Sequence, residues 1–420
     1  MKVCVIGNGG REHALAWRLS ISPSVTKVYA IPGSAAMSDC AELVGIDWQQ
    51  SDHLIRFLKD NHVDLVVVGP EAPLVAGLAD ILNKAGIPVF SPSKAAAQLE
   101  GSKVFAKDLM KKYNIPTAAY GVFHKVDEAK DFIAQTGAPI VVKADGLAAG
   151  KGVVVAMTVE EANAAVEDML SGNRFGEAGS TVVIEEFMDG EEASLLAFVD
   201  GKTVVPMIAS QDHKRIFDGD KGPNTGGMGT YAPAPVLTDA LRDEAMKTIL
   251  EPMVAAMEKE GMPYVGCLYA GLMITPQGPK VVEFNARFGD PETQVVLPLL
   301  DSDLGQIMLA CATGTLTADM VKWKDSSAAC VILASKGYPE TSSKGDVIHG
   351  DIKQHDTTIV FHSGTKLVGE EYVTNGGRVL GVVGLGKDLR TALDRAYGRI
   401  EHINFEGMQY RTDIGAKAFK

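Results

Sequence analysis

The stretch KVVEFNARFGDPETQ, residues 280–294, carries a row of chemically active side chains on one short predicted strand. Because alternate side chains of a strand face the same way, Glu283, Asn285 and Arg287 share one face. A carboxylate and an amide oxygen can ligate a hard divalent cation, and a guanidinium can bind the remaining negative charge of a phosphate. A half-buried edge strand with a solvated polar face would show the same pattern, so the interpretation depends on the rest of the chain. The opposite face of the strand carries Val282, Phe284 and Phe288.

The composition is that of a globular protein with several domains. The chain has 420 residues, of which 46% are hydrophobic and 22% are charged, and this length suggests about three domains of ordinary size. The formal net charge of −13 argues against nucleic acid or an anionic membrane as a partner, because both require basic surfaces. A local cationic pocket for a phosphate is compatible with that charge.

Five cysteines, at positions 4, 40, 267, 311 and 330, form no C-x-x-C pair. This pattern is typical of free thiols in a reducing compartment rather than of a disulfide framework or a zinc site. The chain begins directly with a predicted strand and has no apolar run near the ~18 residues that a membrane span requires. We therefore expect a soluble, cytoplasmic protein.

The first hundred residues alternate short apolar runs with helical patterns, which predicts a doubly wound parallel sheet. A long helix is expected to follow from about Ser93 to Tyr113, and a turn at 114–116 marks a boundary. The apolar runs are VCVIG (3–7), VTKVYA (25–30), DLVVVG (64–69) and IPVF (87–90).

The pattern changes after that turn, and two α+β units are expected. The first is a small antiparallel module whose strands are joined by Gly-rich or short turns, with a helix near 159–170. The second combines a helix around 238–259 with two paired strands, one of which is 280–286. Further strands, and a helix opened by Asp388, predict a small C-terminal α+β unit.

These units give a multidomain fold of the α/β and α+β classes. The predicted domains are an N-terminal α/β domain at 1–102, a central domain at 103–325 and a C-terminal α+β domain at 326–420. The central domain is expected to contain a small lid subdomain at about 115–190 and a larger subdomain at 191–325.

The opening turn GNGGREH (7–13) lies between a predicted strand and a helix, so its amides can hold a phosphate at a helix N-terminus. It does not fit a dinucleotide fingerprint, because Glu12 occupies the third glycine position. A phosphate-bearing metabolite is therefore favoured over NAD, although a tight turn that simply uses glycines is an alternative. The turn Gly69–Glu71 ends another parallel strand, and ligands favour the carboxyl ends of such strands.

The loop ADGLAAGKGV (144–153) differs from a P-loop. Three residues rather than four separate Gly146 from Gly150, and Lys151 precedes Gly152 instead of a serine or threonine. Predicted strands flank it on both sides, so a Gly-rich hairpin that closes over phosphates with its backbone amides is the better account.

Two lysines near this loop are candidates for neutralising a ligand phosphate. Lys143 lies in an apolar strand just before the loop, where a lysine either reaches the surface or meets an anion. Lys103, on the preceding helix, could equally be an ordinary exposed lysine. The segment 181–194, an apolar strand that ends in carboxylates and a D-G turn, could bind an adenine edge and ribose or could be a solvated hairpin.

The segment QDHKRIFDGDKGPNTGGMGTY (211–231) has five glycines and neither a helical nor a strand period. A structureless stretch of this length inside a compact domain is usually functional or disordered. Its charged residues, which suit a small zwitterion beside a phosphate, are Asp212, Lys214, Arg215 and Asp218.

Together these segments resemble the ATP-grasp superfamily and, within it, the phosphoribosylamine–glycine ligase family, also called glycinamide ribonucleotide synthetases. The resemblance covers essentially the whole chain, and RFGDPETQ (287–294) is its specific signature. Met188 stands where a leucine is common, a mild change at a hinge that acts through its backbone. The other matching motifs are GNGGREHALAW (7–17), VGPEAPL (68–74), KADGLAAGKGV (143–153), VIEEFMDGEEAS (183–194), QDHKR (211–215) and GPNTGGMG (222–229).

The resemblance implies a ligase reaction in de novo purine biosynthesis. ATP would phosphorylate the carboxylate of glycine to glycyl phosphate, and the amine of 5-phosphoribosylamine would displace the phosphate to form glycinamide ribonucleotide. Moving a phosphoryl group onto a carboxylate requires charge neutralisation more than covalent help. Because acyl phosphates hydrolyse, the loop 145–152 is implied as a lid that excludes water.

The resemblance also implies roles for individual residues. Glu283 and Asn285 would hold Mg²⁺ or Mn²⁺, Arg287 would stabilise the transferring phosphoryl group, and Asp212 would bind the glycine ammonium. The residues implied to bind ATP are Lys103, Lys143, Gly146, Gly150, Lys151, Gly152, Glu185, Glu186, Phe187, Met188 and Glu191. The residues implied to bind the other substrates are Gly9, Gly10, Arg11, Pro70, Glu71, Asp212, Lys214, Asn224, Gly226, Gly227, Asp290 and Glu292.

Two other functions are open from the sequence. One is an ATP-grasp ligase that uses a different acid, such as a carboxylase or a peptide-forming ligase. The other is a nucleotide-binding regulator without catalysis, which would bind ATP but release no phosphate. The expected partners are the small molecules ATP, glycine and 5-phosphoribosylamine, with no nucleic acid and no membrane, and the chain is expected to be a monomer.

Overall fold

A computed structural model describes residues 1–147, 152–171 and 176–420 of the chain. Among the described helices, none combines the length and apolar character that crossing a membrane requires. Seven sheets are formed in these ranges, and strands of four of them line one central cleft.

The N-terminal residues form the predicted doubly wound sheet, in which all pairs are parallel and the order is β3-β2-β1-β4-β5. β1 is central, and its residues are buried from Val3 onward because helices cover both faces of the sheet. The elements are β1 (Lys2–Gly7), α1 (Gly10–Ser20), β2 (Lys27–Pro32), β3 (Glu42–Leu43), α2 (Ser51–Asp60), β4 (Leu65–Val68), α3 (Glu71–Ala76), α4 (Leu78–Lys84) and β5 (Val89–Phe90).

The single long helix predicted from Ser93 to Tyr113 is wrong. Two helices occur instead, α5 (Gln98–Gly101) and α6 (Lys103–Lys112). They are separated at Ser102, whose backbone is extended (φ −138°, ψ 117°) and whose hydroxyl accepts a hydrogen bond from the amide of Phe105 at 3.1 Å. A serine that caps a new helix competes with continuation of the old one, because its side chain satisfies a free helical amide.

The small subdomain is an antiparallel sheet of order β6-β9-β7-β8, as predicted. Two helices pack on one face of this sheet, and their apolar side chains form its core. The elements are β6 (Tyr120–Phe123), α7 (Val126–Thr136), β7 (Ile140–Ala144), β8 (Val153–Ala156), α8 (Val159–Ser171) and β9 (Val182–Glu186).

The larger subdomain is built on a second antiparallel sheet, of order β11-β10-β16-β17. A π-helical turn at Met246–Leu250 joins the two helices that cover one side of this sheet. The elements of this part of the chain are β10 (Glu191–Asp200), β11 (Val204–Pro206), β12 (Gln211–Asp212), β13 (Arg215–Phe217), β14 (Lys221–Asn224), β15 (Gly229–Ala232), α9 (Asp239–Ala245), α10 (Glu251–Lys259), β16 (Val265–Thr275) and β17 (Gly278–Asn285).

The Gly-rich segment 211–231 is not structureless, and that prediction is wrong. β13 and β14 form a hairpin in which Arg215 lies opposite Asn224, and β12 pairs with β15. Strands of two to four residues are too short to display a period of two in the sequence.

The C-terminal part forms a five-stranded antiparallel sheet of order β12-β15-β18-β24-β21. Two of its strands come from the glycine-rich segment, so the sheet extends across the predicted boundary at residue 326. The predicted helix α13 begins after Asp388, whose carboxylate accepts from the amide of Thr391 at 2.8 Å. The elements are α11 (Thr293–Val296), α12 (Leu304–Thr313), β18 (Ser327–Ala334), β19 (Lys344–Val347), β20 (His349–Gly350), β21 (Thr358–His362), β22 (Thr365–Val368), β23 (Glu371–Asn375), β24 (Arg378–Gly386), α13 (Leu389–Ile400) and β25 (Ile403–Asn404).

Candidate active site

A cleft of about 650 Å³ lies between the small antiparallel sheet and the larger one. The N-terminal helices α1 and α3 contribute Arg11 and Glu71 to its lining, and β24 contributes Arg378. Each of the three sequence regions thus reaches the same cavity, which is the usual place for a small-molecule site between domains.

The polar face of β17 forms one wall of this cleft, with Glu283 and Asn285 side by side. Our prediction that Val282 lies on the opposite face is wrong, because Val282 also lines the cleft and Val281 is buried in the core instead. The cause is a bulge, since Gly271 of β16 faces Glu283 while the next residue of β16 faces Val281.

Glu283 and Asn285 are suited to a divalent cation. Burial alone would raise the pKa of Glu283, but the charges of Lys214, Lys143 and Lys103 lower it overall, so the carboxylate is ionised at neutral pH. Neither side chain has a hydrogen-bond partner within the described residues, so their oxygens are available to a ligand. The described ranges contain no cluster of three or more His, Cys, Asp or Glu placed for a metal, so nucleotide phosphates would supply the remaining ligands, as is common for Mg²⁺.

Arg287 follows β17 and is held by two carboxylates of the N-terminal region. Its Nη2 lies 2.9 Å from Oε1 of Glu100, and its Nε lies 3.6 Å from Oε2 of Glu71. Burial lowers the pKa of Arg287, but Glu100 and Glu71 raise it overall, so the guanidinium stays charged. No sequence pattern pointed to Glu100, whose other oxygen accepts from the amide of Ala286 at 2.7 Å.

Lysines of α6 and β7 face β17. Nζ of Lys103 donates to the carbonyl of Gly146 at 2.9 Å, and Nζ of Lys143 lies 2.9 Å from Oε2 of Glu185. Lys107 also contacts Glu185, at 3.3 Å, and was missed in the sequence. Its position four residues after Lys103, on the same side of a helix, is the signal that could have found it.

The predicted adenine segment is also brought to the cleft, where Glu185, Glu186, Phe187 and Met188 follow each other along the lining. Glu191 lies there too, and its Oε2 accepts from Nε2 of Gln211 at 3.2 Å. Gly146 and Gly152 line the same space. The predicted contacts of Gly150 and Lys151 lie outside the described residues.

A charge cluster in the cleft combines Asp212 and Glu292, whose side chains are buried, with Lys214, whose side chain is 38% exposed. Nζ of Lys214 is 2.9 Å from Oδ2 of Asp212, and although burial lowers the pKa of Lys214, the charge of Asp212 raises it well above the ordinary value. Oε1 of Glu292 accepts from the hydroxyl of Tyr269 at 2.7 Å and that of Ser194 at 3.3 Å. Burial and the nearby Asp212 raise the pKa of Glu292.

The loop around Asn224 and Gly226 completes this part of the cleft, where both residues are part of the lining. Gly227 is not among the lining residues described, but its backbone conformation (φ +120°) and a space that a Cβ would share with Pro291 and Asp212 require glycine. Asp290 and Glu292 are part of the lining, as predicted.

The N-terminal turn is arranged differently from the predicted phosphate cradle. Oε2 of Glu12 accepts the amide of Gly9 at 2.7 Å, and Oε1 accepts from Nε of Arg11 at 2.6 Å. The amide of Gly9 is therefore satisfied by the turn itself. Gly9, Gly10 and Pro70 are absent from the described lining of the cleft, whereas Arg11 and Glu71 belong to it.

The chain combines an N-terminal parallel sheet with two antiparallel α+β units. Lysines and oxygens suited to a metal ion lie on facing walls of the cleft between these two units. This fold and this site define an ATP-grasp ligase. Sequence models agree. Those of the N domain, the ATP-grasp (A) domain and the C domain of phosphoribosylglycinamide synthetase match residues 1–100, 101–293 and 328–417. The chain therefore belongs to the phosphoribosylglycinamide synthetase family, and the resemblance found in the sequence is confirmed.

Individual relatives give the same result. Proteins described as phosphoribosylamine–glycine ligase are 53% identical over 418 residues in Halalkalibacterium halodurans and 53% identical over 420 residues in Neisseria meningitidis serogroup A, and they align with 100% of this chain and with 97% and 99% of their own lengths. The crystal structure of phosphoribosylamine–glycine ligase from Thermotoga maritima is 34% identical, with a TM-score of 0.86 over 99% of this chain and 100% of that one.

A more distant neighbour shares the fold alone. Biotin carboxylase from Campylobacter jejuni, solved with an ATP analogue, has a TM-score of 0.74 at 14% identity, over 97% of this chain and 92% of that one. The predicted fold class, a parallel N-terminal sheet with an ATP-grasp core and a small C-terminal unit, is confirmed by these neighbours.

Proposed function

We propose that this chain ligates glycine to 5-phospho-D-ribosylamine at the expense of ATP, giving N1-(5-phospho-D-ribosyl)glycinamide, ADP and phosphate in de novo purine biosynthesis. The reaction passes through glycyl phosphate in this proposal. The observation that carries it is the pair of Glu283 and Asn285, whose free oxygens face Lys103 and Lys143 across a cleft of nucleotide size. Family membership supplies the identity of the substrates.

The metal is Mg²⁺ or Mn²⁺ in this proposal, held by Glu283 and Asn285. When bound, it neutralises the phosphate oxygens and orients the terminal phosphoryl group. Lys103 and Lys143 offset charge from the opposite wall, and the segment from Glu185 to Met188 receives adenine, with Glu191 on the ribose.

Arg287 stabilises charge on the phosphoryl group during its transfer to the glycine carboxylate. Its bonds to Glu100 and its closeness to Glu71 support this role, because they fix the guanidinium before substrate arrives and so reduce the reorganisation needed in the transition state. The transfer breaks the bond to the ADP oxygen and forms one to a carboxylate oxygen of glycine.

The cluster of Asp212, Lys214 and Glu292 binds glycine in this proposal. The carboxyl oxygens of Asp212 and Glu292 offer acceptors to the substrate ammonium group beside the Asp212–Lys214 pair. The amine of phosphoribosylamine then attacks the acyl carbon, and phosphate leaves.

Phosphoribosylamine itself lies on the side of the N-terminal sheet. Arg11 of α1 and Glu71 of α3, the helices that follow β1 and β4 of that sheet, belong to the cleft lining. The roles of Gly9, Gly10 and Pro70 remain predictions, as do those of Asn224, Gly226, Gly227 and Asp290. The segment 145–152 covers the phosphates and limits hydrolysis of the acyl phosphate.

Three further points belong to the proposal. The domain limits are 1–102, 103–325 and 326–420, with subdomains at about 115–190 and 191–325. The chain acts as a monomer. Its location is the cytoplasm, which is supported by the free state of all five cysteines.

The test is the substrate dependence of ADP release. A coupled assay with ATP and metal should show turnover only when glycine and freshly prepared phosphoribosylamine are both present, and mass spectrometry should identify the glycinamide product. Rapid ADP release without glycine, or faster release with another small acid in a panel, would contradict the proposal.

A further inference from the structure

A buried carboxylate in the nucleotide half of the cleft is shared by two lysines. Oε2 of Glu185 lies 2.9 Å from Nζ of Lys143 and 3.3 Å from Nζ of Lys107. The three side chains are at most 5% exposed. Removing either lysine therefore leaves less positive charge beside a carboxylate that water hardly reaches. An uncompensated charge in a protein interior is strongly destabilising.

The ammonium groups of Lys107 and Lys143 differ in how many of their protons have an acceptor within the protein. Lys107 donates to the hydroxyl of Thr117 at 2.8 Å and the carbonyl of Ala118 at 3.3 Å and faces Glu185, so three acceptors serve its three protons. Lys143 donates to Glu185 and to one main-chain carbonyl of β17, at 3.1 Å, and has no third acceptor among the described residues. Lys143 therefore keeps a donor for a ligand, and Lys107 does not.

Lys107 is also held in place and charged. The hydroxyl of Thr117 donates onward to the carbonyl of Val281 at 2.7 Å, which ties the acceptor of Lys107 to β17. Burial lowers the pKa of Lys107 to about 8, and Glu185 limits that fall. The ammonium form consequently predominates at pH 7.

We propose that Lys107 is a positioning residue of the nucleotide site: it is the permanent counter-charge of Glu185, which lets Lys143 turn to a nucleotide phosphate without leaving a buried carboxylate unpaired. The inference rests on the proposed function for the placement of the phosphates near Lys143. Lys107 itself touches no substrate, because its protons are already used.

Titration calorimetry with ADP and with adenosine tests this role. In Lys107→Met, Lys143 becomes the sole partner of Glu185, so affinity for ADP should fall about tenfold, while affinity for adenosine, which has no phosphate, should change by less than about twofold. Lys111→Met, an exposed lysine of the same helix, is the matched control and should bind both ligands as the wild type does.

A rescue experiment separates this role from a merely structural one. Glu185→Gln removes the charge that Lys107 balances, so adding Lys107→Met to Glu185→Gln should cost less than about twofold in ADP affinity. An equal loss in both backgrounds, or an equal loss for ADP and adenosine, would overturn the proposal. If Lys107→Met alone fails to fold, the ADP affinities of the double variant and of Glu185→Gln are compared instead. Neither of these proteins contains an unpaired carboxylate at position 185, so this comparison decides whether the proposal holds.

The binding measurements use no glycine and no phosphoribosylamine, so they also distinguish the two proposals. A wild-type protein that binds ADP but shows no ligation contradicts the proposed substrates and leaves the role of Lys107 intact. A protein that ligates glycine but whose ADP affinity is unaffected by Lys107→Met contradicts only the role of Lys107.

Discussion

Arg378, the first residue of β24, donates a hydrogen bond from Nη1 to the carbonyl oxygen of Asp290 at 2.8 Å. The same nitrogen donates to the carbonyl of Gly226 at 2.8 Å. Burial raises the pKa of Asp290, but Arg378 and Arg11 lower it overall, so the carboxylate beside this contact is ionised. One C-terminal guanidinium thus holds together the loop around Gly226 and the corner that follows β17.

Replacing Arg378 by methionine should therefore impair catalysis more than nucleotide binding. Both loops would lose their common donor and drift from the positions that the reaction requires, which commonly costs about tenfold to a hundredfold in rate. Steady-state kinetics should show a lower kcat/KM for glycine with little change in the affinity for ADP. Arg395→Met is the control. Arg395 lies on the exposed side of α13 and donates to the carbonyl of Leu385 in β24. Equal losses in the two variants would contradict the positioning role.

Glu283→Ala should abolish ligation while leaving the fold intact. The carboxylate accepts no hydrogen bond among the described residues, so its removal breaks no directional contact, although it takes away a charge that Lys214, Lys143 and Lys103 stabilise. We expect at least about a thousandfold loss in kcat, with unchanged circular dichroism and a modest fall in melting temperature, because the neighbouring lysines lose a counter-charge. Glu251→Ala, at an exposed position of α10, should behave as wild type. Undiminished turnover of Glu283→Ala would argue decisively against the metal-binding role.

Glu100→Gln tests whether Arg287 must be fixed in advance. The amide can still accept from the amide of Ala286, but it offers Arg287 no charge, so the guanidinium gains freedom. We expect about a tenfold fall in kcat and little change in the affinity for ADP measured by calorimetry. A variant with wild-type kcat would show that Glu71 alone suffices to hold Arg287.

Acid should destabilise the contact between the N-terminal helix and the C-terminal sheet. Nδ1 of His13 accepts the amide of His362 at 2.9 Å, and burial lowers the pKa of His13 to about 3 and that of His362 to about 4. Since an unfolded histidine titrates near 6.5, the unfolded state binds protons first, and stability falls as the pH drops from about 6.5 towards these values. Between pH 7 and pH 5 we expect a loss of about 2 kcal/mol for each histidine.

His13→Asn should weaken this acid dependence. The asparagine side-chain oxygen can replace the acceptor but cannot bind a proton in this range, so the melting temperature should fall less between pH 7 and pH 5 than in the wild type. His53→Asn, an exposed histidine of α2, should leave the dependence unchanged. Identical pH profiles for His13→Asn and the wild type would contradict this explanation.

Local patterns in the sequence were sufficient for the sheets and for the polar face of β17, because strand alternation and glycine punctuation act over a few residues. They failed where a single side chain redirects the backbone, as the hydroxyl of Ser102 does between α5 and α6. The bulge at Val282 was missed for a similar reason, since the partner strand determines it.

The missed site residues share a different cause. Glu100 and Arg378 reach the cleft from elements far from β17 in the sequence, and Arg378 contacts a residue 88 positions away. Nothing in their own neighbourhoods indicates a ligand. Lys107 differs, because its spacing from Lys103 could have been interpreted as a shared helix face.

The pairing of β15 with β18 has a consequence for folding during synthesis on the ribosome. β15 has β12 on one edge, and the other edge stays open until β18 has been synthesised and can pair with it, Gly229 opposite Val331. A nascent chain can therefore already contain every residue proposed to bind ATP and still lack β18, the strand that supports the glycine-rich segment 211–231. Cleavage of the chain after β17 would leave that edge of β15 unpaired and prone to association with other chains.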